Sequence, residues 1–343
     1  MSQILGLVLL AFVVVSILLV PFINFLYSIK FQRQNQKTRD IFEARTPIFD
    51  RLHSHKVGTP VGGGALIIAV VTILYLVTIN LFPTFGITAT SIYPYKKEVQ
   101  ILLFTFVSFG VLGIYDDIIK TFGFKRAKFW GLRFRHKFII QWILAITVAS
   151  LLYFNLGINI INVRFFDVFN VGYLFIPFAA FTIVSFANAV NISDGLDGLS
   201  TGLLLISITA FLIMSKSILD TTISTFLGLW MGALIAFLYF NIWPARIWVG
   251  DVGALSFGAT FAVIGLLLGK QMALVIIGGV FIVEVASSLI QLLSKKIRHK
   301  KVFEVSPLHL WLQEKGWQEP KIVFRFWLAQ IILAIFGLWL SFF

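Results

Sequence analysis

Cysteine is absent from the 343-residue sequence, which excludes disulfides and thiolate metal sites and says nothing about redox compartment. Charge is scarce too: 13% of residues are charged and 59% are hydrophobic, where a soluble domain has about 25% and about 45–50%. That shortage excludes an ordinary soluble fold and leaves a polytopic membrane protein of all-α class, read as one helical domain over 1–343. Acidic residues are fewer than basic ones, 15 against 28, so the net charge is +13. In a membrane chain such an excess marks cytoplasmic loops before it marks nucleic acid, and no nucleic-acid partner is expected. No small-residue cleavage site follows the apolar run Leu5–Leu26, which is too long for a cleavable signal and is expected to be the first span.

A span needs about 20 mainly apolar residues. Ten candidates answer to this: 4–28, 61–83, 99–115, 138–156, 171–188, 199–215, 223–241, 252–269, 272–294 and 323–342. The loops between them differ in charge. The first, third and ninth, with Arg246 in the seventh, carry 23 of the 28 Lys and Arg residues. The even loops hold only Lys96, Lys97, Arg164, Lys216 and Lys270. The positive-inside rule then puts the odd loops in the cytoplasm and both termini on the extracytoplasmic side, as an even number of spans requires.

The polar residues that remain are unevenly placed. Asp116 and Asp117 close the third span, Asp194 and Asp197 sit in the fifth loop, and Asp251 opens the eighth span. All five fall at cytoplasmic membrane boundaries, where a carboxylate is costly unless paired or bound to metal. The fifth loop reads Asn188-Ala-Val-Asn191-Ile-Ser-Asp194-Gly-Leu-Asp197-Gly198. Polar residues recur at every third position, so neighbouring members share a helical face, and Gly195 and Gly198 weaken the helix there. Two carboxylates and two amides at a membrane boundary suit a hard cation or a phosphate; a polar helix terminus is the plainer alternative. Lys56, Lys120 and Lys137 lie beside the acidic positions. The run Gly58-Thr59-Pro60-Val61-Gly62-Gly63-Gly64 either brings backbone N–H groups to phosphate or permits close helix packing.

Two further features stand out. Glu284 lies within the ninth candidate span and is expected to make an interhelical hydrogen bond; Ser287, Ser288 and Gln291 suggest that this segment is bent or partly interfacial. The ninth loop, Ser306 to Trp327, alternates apolar, aromatic and basic residues and predicts a short amphipathic helix on the membrane surface, with His309 as a phosphate or nucleotide contact. His53, His55, His136 and His299 are read as loop residues, and the external loop 82–95 as scaffold.

The constellation resembles the polyprenyl-phosphate N-acetylhexosamine-1-phosphate transferases, most closely their phospho-N-acetylmuramoyl-pentapeptide branch in peptidoglycan synthesis. The matching stretches are Lys56–Gly64, Gly113–Lys120, Gly131–Gln141, Asn188–Gly198, Gly250–Gly258 and Lys315–Trp327. Lys315-Gly316-Trp317 followed by Arg325-Phe326-Trp327 favours that branch over relatives that transfer N-acetylglucosamine phosphate. One departure is clear: the family carries three successive histidines where this chain has His309-Leu310-Trp311, which leaves open how the nucleotide-sugar is held. Stacking of Trp311 on a base or ring is one substitute.

The resemblance implies a reaction. The phosphosugar of UDP-N-acetylmuramoyl-pentapeptide passes to undecaprenyl phosphate, giving lipid I and UMP, at the cytoplasmic face of the bacterial inner membrane. Loops 30–60, 116–137, 188–198, 242–251 and 295–325 would build the site. Mg2+ is the implied cofactor, since every candidate ligand is oxygen: Asp251 with Asp117 or Asp194. Asp116, Asp117 and Asp251 are the implied catalytic residues; Asp116 would act as general base on the lipid phosphate, and a two-step route through a covalent aspartyl intermediate is the competing reading. Lys56, Thr59, Lys120, Lys137, Asn188, Asn191, Asp194, Asp197 and His309 would contact substrate. The lipid tail would lie in an apolar groove beside the ninth span, and the resemblance also suggests a homodimer. Transfer from UDP-N-acetylglucosamine is the alternative within the superfamily, and a catalytically silent scaffold is a third reading that the five aspartates oppose. An ion-coupled transporter predicts carboxylates near mid-bilayer in several helices, whereas five of the six membrane-associated ones here crowd one face, with Glu284 alone deep.

Overall fold

Within a bilayer every backbone N–H must find its partner inside its own segment, so the apolar runs fold as helices. The computed structural model describes residues 2–32, 47–52, 56–86, 88–122, 134–163 and 167–342. Gly131, Arg133, Arg164, His53, His55 and parts of loops 30–60 and 116–137 lie outside the described residues. In chain order the elements are α1 (Ser2–Ser28), a short α2 (Pro47–Leu52), α3 (Gly63–Leu81), α4 (Tyr95–Phe122), α5 (Phe134–Leu156), strands β1 (Ile160–Val163) and β2 (Asp167–Asn170), α6 (Phe175–Ser193), α7 (Leu199–Ser217), α8 (Thr221–Asn241), α9 (Gly250–Leu267), α10 (Gln271–Ile277), α11 (Gly279–Arg298), α12 (Leu308–Glu314) and α13 (Glu319–Phe342). Among the described residues nine helices are long and apolar enough to cross a membrane.

The ninth candidate, 272–294, is not one continuous helix. It is α10 and α11, bent by 71° at Gly278. Ser287, Gln291 and Ser294 of α11 are buried while Val283, Leu289, Ile290 and Leu293 are exposed, so one face is apolar and the other polar. An amphipathic helix of this kind is not a simple span. The strands form an antiparallel hairpin with Ile160 opposite Asn170 and Val163 opposite Asp167; it is a small exception to the all-α expectation.

The centre is α9, buried along almost its whole length and packed against α3, α4 and α6. Phe106, Phe226, Trp230 and Phe257 fill the space between α4, α8 and α9, with ring centroids 5.2 to 5.9 Å apart. Edge-on and stacked arrangements of this kind suit the ring quadrupoles. The α4–α9 crossing is tight because Gly113 faces the start of α9: a Cβ there would stand 2.2 Å from the Asp251 carbonyl oxygen. That close approach sets the acidic end of α4 beside Asp251.

The carboxylates do not all crowd one end, and this corrects the sequence reading. Glu98 and Asp220 are both buried near the opposite tip of the bundle. Glu98 precedes Asp116 on α4 by ~27 Å at 1.5 Å per residue, close to a bilayer core. Asp220 caps α8 by accepting the Ile223 N–H at 2.8 Å and takes a hydrogen bond from Ser91 at 3.2 Å. Burial pushes its carboxyl upward. Asp220 helps to pin the segment 88–94 to the helix tips, with Thr90 bonded to Leu219 and Thr221. Asp220 lies next to Leu219, at a chain turn rather than in an apolar run, and Glu98 follows two lysines, so neither reads as buried in the sequence.

Gly113→Ala should overpack the α4–α9 crossing and destabilise the protein by about 1–3 kcal/mol. A lowered thermal midpoint of the purified variant is the expected result; an unchanged midpoint would count against the close crossing.

Candidate active site

Two lysines and two aspartates form an alternating ring at one end of the bundle. Lys120, one turn beyond Asp116 on α4, reaches Asp116 Oδ2 at 2.9 Å and Asp251 Oδ2 at 2.6 Å. Lys137, in the first turn of α5, reaches the same two oxygens at 2.8 and 2.5 Å. Three helices thus meet through charge. Asp117 points the other way around α4 and accepts the Val252 N–H at 3.0 Å, an unsatisfied donor in the first turn of α9. Asn191 donates to the second oxygen of Asp251 at 2.9 Å.

The stretch 188–198 divides. Asn188 and Asn191 lie on α6, which stops at Ser193, and Gly198 (φ 77°) starts α7. The three-residue periodicity therefore ends with the helix. Asn188, one turn before Asn191, donates to Gln141 of α5 at 2.8 Å rather than to a carboxylate. Asp194 accepts from Ser200 at 2.5 Å. Its burial pushes the carboxyl up to about 6, against the Ser200 hydrogen bond that favours the ionised form.

Lys56 and Asp197 meet each other instead of standing open. Lys56 Nζ lies 2.9 Å from Asp197 and 2.5 Å from Glu319, and all three are buried. Asp197 also accepts from the Ala245 N–H at 2.9 Å and from Trp248 Nε1 at 3.2 Å. Loops from four parts of the chain are tied here, and removing one partner would strand a buried charge. Glu319 is the partner that sequence reasoning missed; its place in the first turn of α13, just before Pro320, was the available signal. Thr59 donates its N–H to the Lys56 carbonyl. The N–H groups of Gly63 and Gly64 are taken by the Trp248 and Val249 carbonyls at 2.8 and 2.9 Å, so these glycines serve packing rather than phosphate.

The ninth loop folds back over this end. α12 carries His309, buried and bonded to Glu284. Arg51 of α2 holds Glu314 of α12 with both carboxylate oxygens, at 2.8 and 2.6 Å. Trp311 packs on Phe303 and lies 5.8 Å beneath the Lys315 ammonium, while Leu310 is buried at the cleft wall.

Between these elements is a cleft of about 240 Å³ whose polar lining includes Asp117, Lys120, Asn191, Asp194, Asp251 and His309. Asp116 and Lys137 stand behind Asp251. Among the described residues, no three His, Asp or Glu side chains converge closely enough to hold a metal ion unaided. The expected trio Asp117, Asp194 and Asp251 shares the cleft without closing into one ligand set. The donor set is all oxygen, which suits Mg2+, an ion that takes one or two carboxylates and completes its shell with water and phosphate. A second cavity, about 490 Å³ and almost wholly apolar, runs between α6, α10 and α11 beside Phe181, Phe186, Val275 and Leu289.

Long apolar helices and a charged cleft at one end of the bundle are the frame of a membrane-embedded protein with a polar site at its boundary. The sequence profile of glycosyl transferase family 4 matches residues 99–269. A Bacillus pumilus protein called phospho-N-acetylmuramoyl-pentapeptide-transferase is 35% identical over 329 residues, covering 95% of this chain and 94% of its own. Proteins of the same name from Caldanaerobacter subterraneus (35% over 282 residues, 82% and 84%) and Rickettsia rickettsii (32% over 330 residues, 90% and 86%) are similar throughout. The chain belongs to the phospho-N-acetylmuramoyl-pentapeptide-transferase family.

The raised Asp194 carboxyl has a measurable sign. A buried acid whose native value lies above its unfolded one stabilises most at low pH, and that contribution is lost as pH rises through the native value. With chelator present, the wild-type thermal midpoint should fall relative to Asp194→Asn between about pH 4 and about pH 6 and run parallel above it. Parallel curves throughout would show that the Asp194 carboxyl is not raised in the folded protein.

Proposed function

We propose that this protein transfers phospho-N-acetylmuramoyl-pentapeptide from its UDP-activated form to undecaprenyl phosphate, yielding lipid I and UMP. The family membership supports the substrates, and the cleft supports the chemistry. The observation that carries the reading is the meeting of Asp116, Lys120, Lys137 and Asp251, drawn from three helices into one charged ring beside the cleft. The excess of Lys and Arg on the loops at this end favours a cytoplasmic orientation. That is the side where a soluble UDP-sugar is found.

Both substrates are anionic, and a phosphate oxygen of the lipid must approach the sugar-bearing phosphorus of the nucleotide. The new P–O bond forms as the bond to the UMP oxygen breaks, and UMP leaves with that electron pair. The barrier is largely one of charge and alignment. Lys120 and Lys137 offer ammonium groups that turn from carboxylate to phosphate as the substrates enter. Asp116 orients the lipid phosphate and accepts its proton where one is present. Asn191 fixes the Asp251 carboxylate at the cleft. Asp251, with Asp117 or Asp194, would hold Mg2+, which when bound would supply positive charge against the diphosphate. The apolar cavity beside the broken α10–α11 segment suits the polyprenyl tail, whose phosphate would then sit at headgroup depth near the cleft. Lys56 and Asp197 act one layer back, holding the turn that carries Asp194.

The test is transfer by the purified protein in the presence of Mg2+ and undecaprenyl phosphate, with UDP-N-acetylmuramoyl-pentapeptide and UDP-N-acetylglucosamine offered in turn. Turnover is expected with the first alone, and lost on chelation. Asp116→Asn, Asp117→Asn and Asp251→Asn should each lower turnover roughly a hundredfold or more, the order expected when charge stabilisation or base action is removed. Near-normal turnover in all three would refute the assignment, and transfer from UDP-N-acetylglucosamine instead would move the chain to the other branch.

A further inference from the structure

Glu284 has no part in the reaction as set out above, yet it is fully buried and touches a residue of the cleft wall. It begins a polar stripe along α11, at Glu284, Ser287, Gln291 and Ser294, whose spacing of three, four and three residues keeps one helical face. All four are buried, and each bonds to the segment 300–309. Ser294 donates to the Lys300 carbonyl at 2.9 Å. Gln291 accepts the Val302 and Phe303 N–H groups at 2.9 and 3.0 Å and donates to the Phe303 carbonyl at 2.8 Å. Ser287 accepts the Leu308 N–H at 3.0 Å.

Those three residues read backbone alone, so they dock the loop without regard to its side chains. Glu284 differs. One of its oxygens accepts the His309 N–H at 3.2 Å, and the other lies 2.7 Å from His309 Nδ1. An ionised carboxylate only accepts, so Nδ1 must carry the proton of that bond. The grip at backbone and ring together fixes the ring plane. Its far edge then faces the turn after α6: a Cβ added to Gly195 would stand 2.3 Å from Nε2. Gly195 follows Asp194, and both line the cleft with His309.

We propose that Glu284 is a positioning residue, holding His309 by Nδ1 so that Nε2 is presented to a phosphate oxygen of the UDP-activated substrate. The proposal rests on the functional reading given above. When an anion arrives at Nε2, Glu284 supplies the negative charge that balances a second proton on the ring. With Leu310 and Trp311 in place of further histidines, His309 is the imidazole at this wall, and its orientation depends on one carboxylate.

The experiment compares full-length wild type, Glu284→Gln, His309→Ala, the double variant and Ser287→Ala in the transfer assay, with KM for the UDP substrate and kcat measured separately. Glu284→Gln should raise that KM about tenfold, the size of one lost charge-assisted contact, and change kcat by less than about threefold. The double variant should be no worse than His309→Ala. Ser287→Ala, which loses docking alone, should lower the thermal midpoint and leave the KM unchanged. An unchanged KM in Glu284→Gln, or losses that multiply in the double variant, overturns the proposal. Should Glu284→Gln not survive purification, Glu284→Asp keeps the charge but draws it back, and a KM rise of about threefold replaces the tenfold expectation. Failure of the wild type to use the UDP-muramoyl substrate would sink the functional reading instead; normal wild-type turnover with an unaltered Glu284→Gln sinks only this inference.

Discussion

Two carboxylates on different helices, Asp116 of α4 and Asp251 of α9, stand within reach of the same pair of ammonium groups. Side by side at a membrane boundary they would repel one another in a medium that screens poorly. Lys120 and Lys137 make the arrangement tenable, and they also bind α5 to the α4–α9 pair. The rest of the site depends on this clasp. It needs the close crossing at Gly113, which in turn needs the buried aromatic packing of Phe106, Trp230 and Phe257 behind it. Function and fold therefore share one constraint: the helices must approach closely enough for charges to alternate, and only small residues at the crossing allow it.

Much of this was legible in the sequence. Nine of ten spans follow from apolar length alone, and the meeting of Asp116, Asp117, Asp194 and Asp251 at one end follows from where each interrupts an apolar run. The partners were not legible. Periodicity carried the polar face of Asn188 and Asn191 on to Asp194 and Asp197, but α6 ends at Ser193, and Asn188 pairs with Gln141. Lys56 and Asp197 looked like open substrate contacts because nothing local predicts a bond to Glu319, more than a hundred residues away from either. Buried ion pairs are tertiary facts; one-dimensional patterns report the cost of a charge at a boundary and not what relieves it.

The broken α10–α11 segment shows the same limit from the other side. Hydropathy counted it as one span, whereas the polar stripe on α11 exists to dock the loop that follows it. Glu98 and Asp220 were read past for a related reason: Glu98 follows Lys96 and Lys97, so its neighbourhood looks like a solvated helix start, yet the side chain is fully buried.

The central claim is that carboxylates from separate spans act as one unit in the transfer reaction. A double-mutant cycle of Asp116→Asn and Asp251→Asn, read as turnover by purified protein with UDP-N-acetylmuramoyl-pentapeptide and undecaprenyl phosphate, tests it most directly. The account predicts that the double variant loses little beyond the worse single one. Losses that multiply would mean that the two residues work independently, and would contradict it.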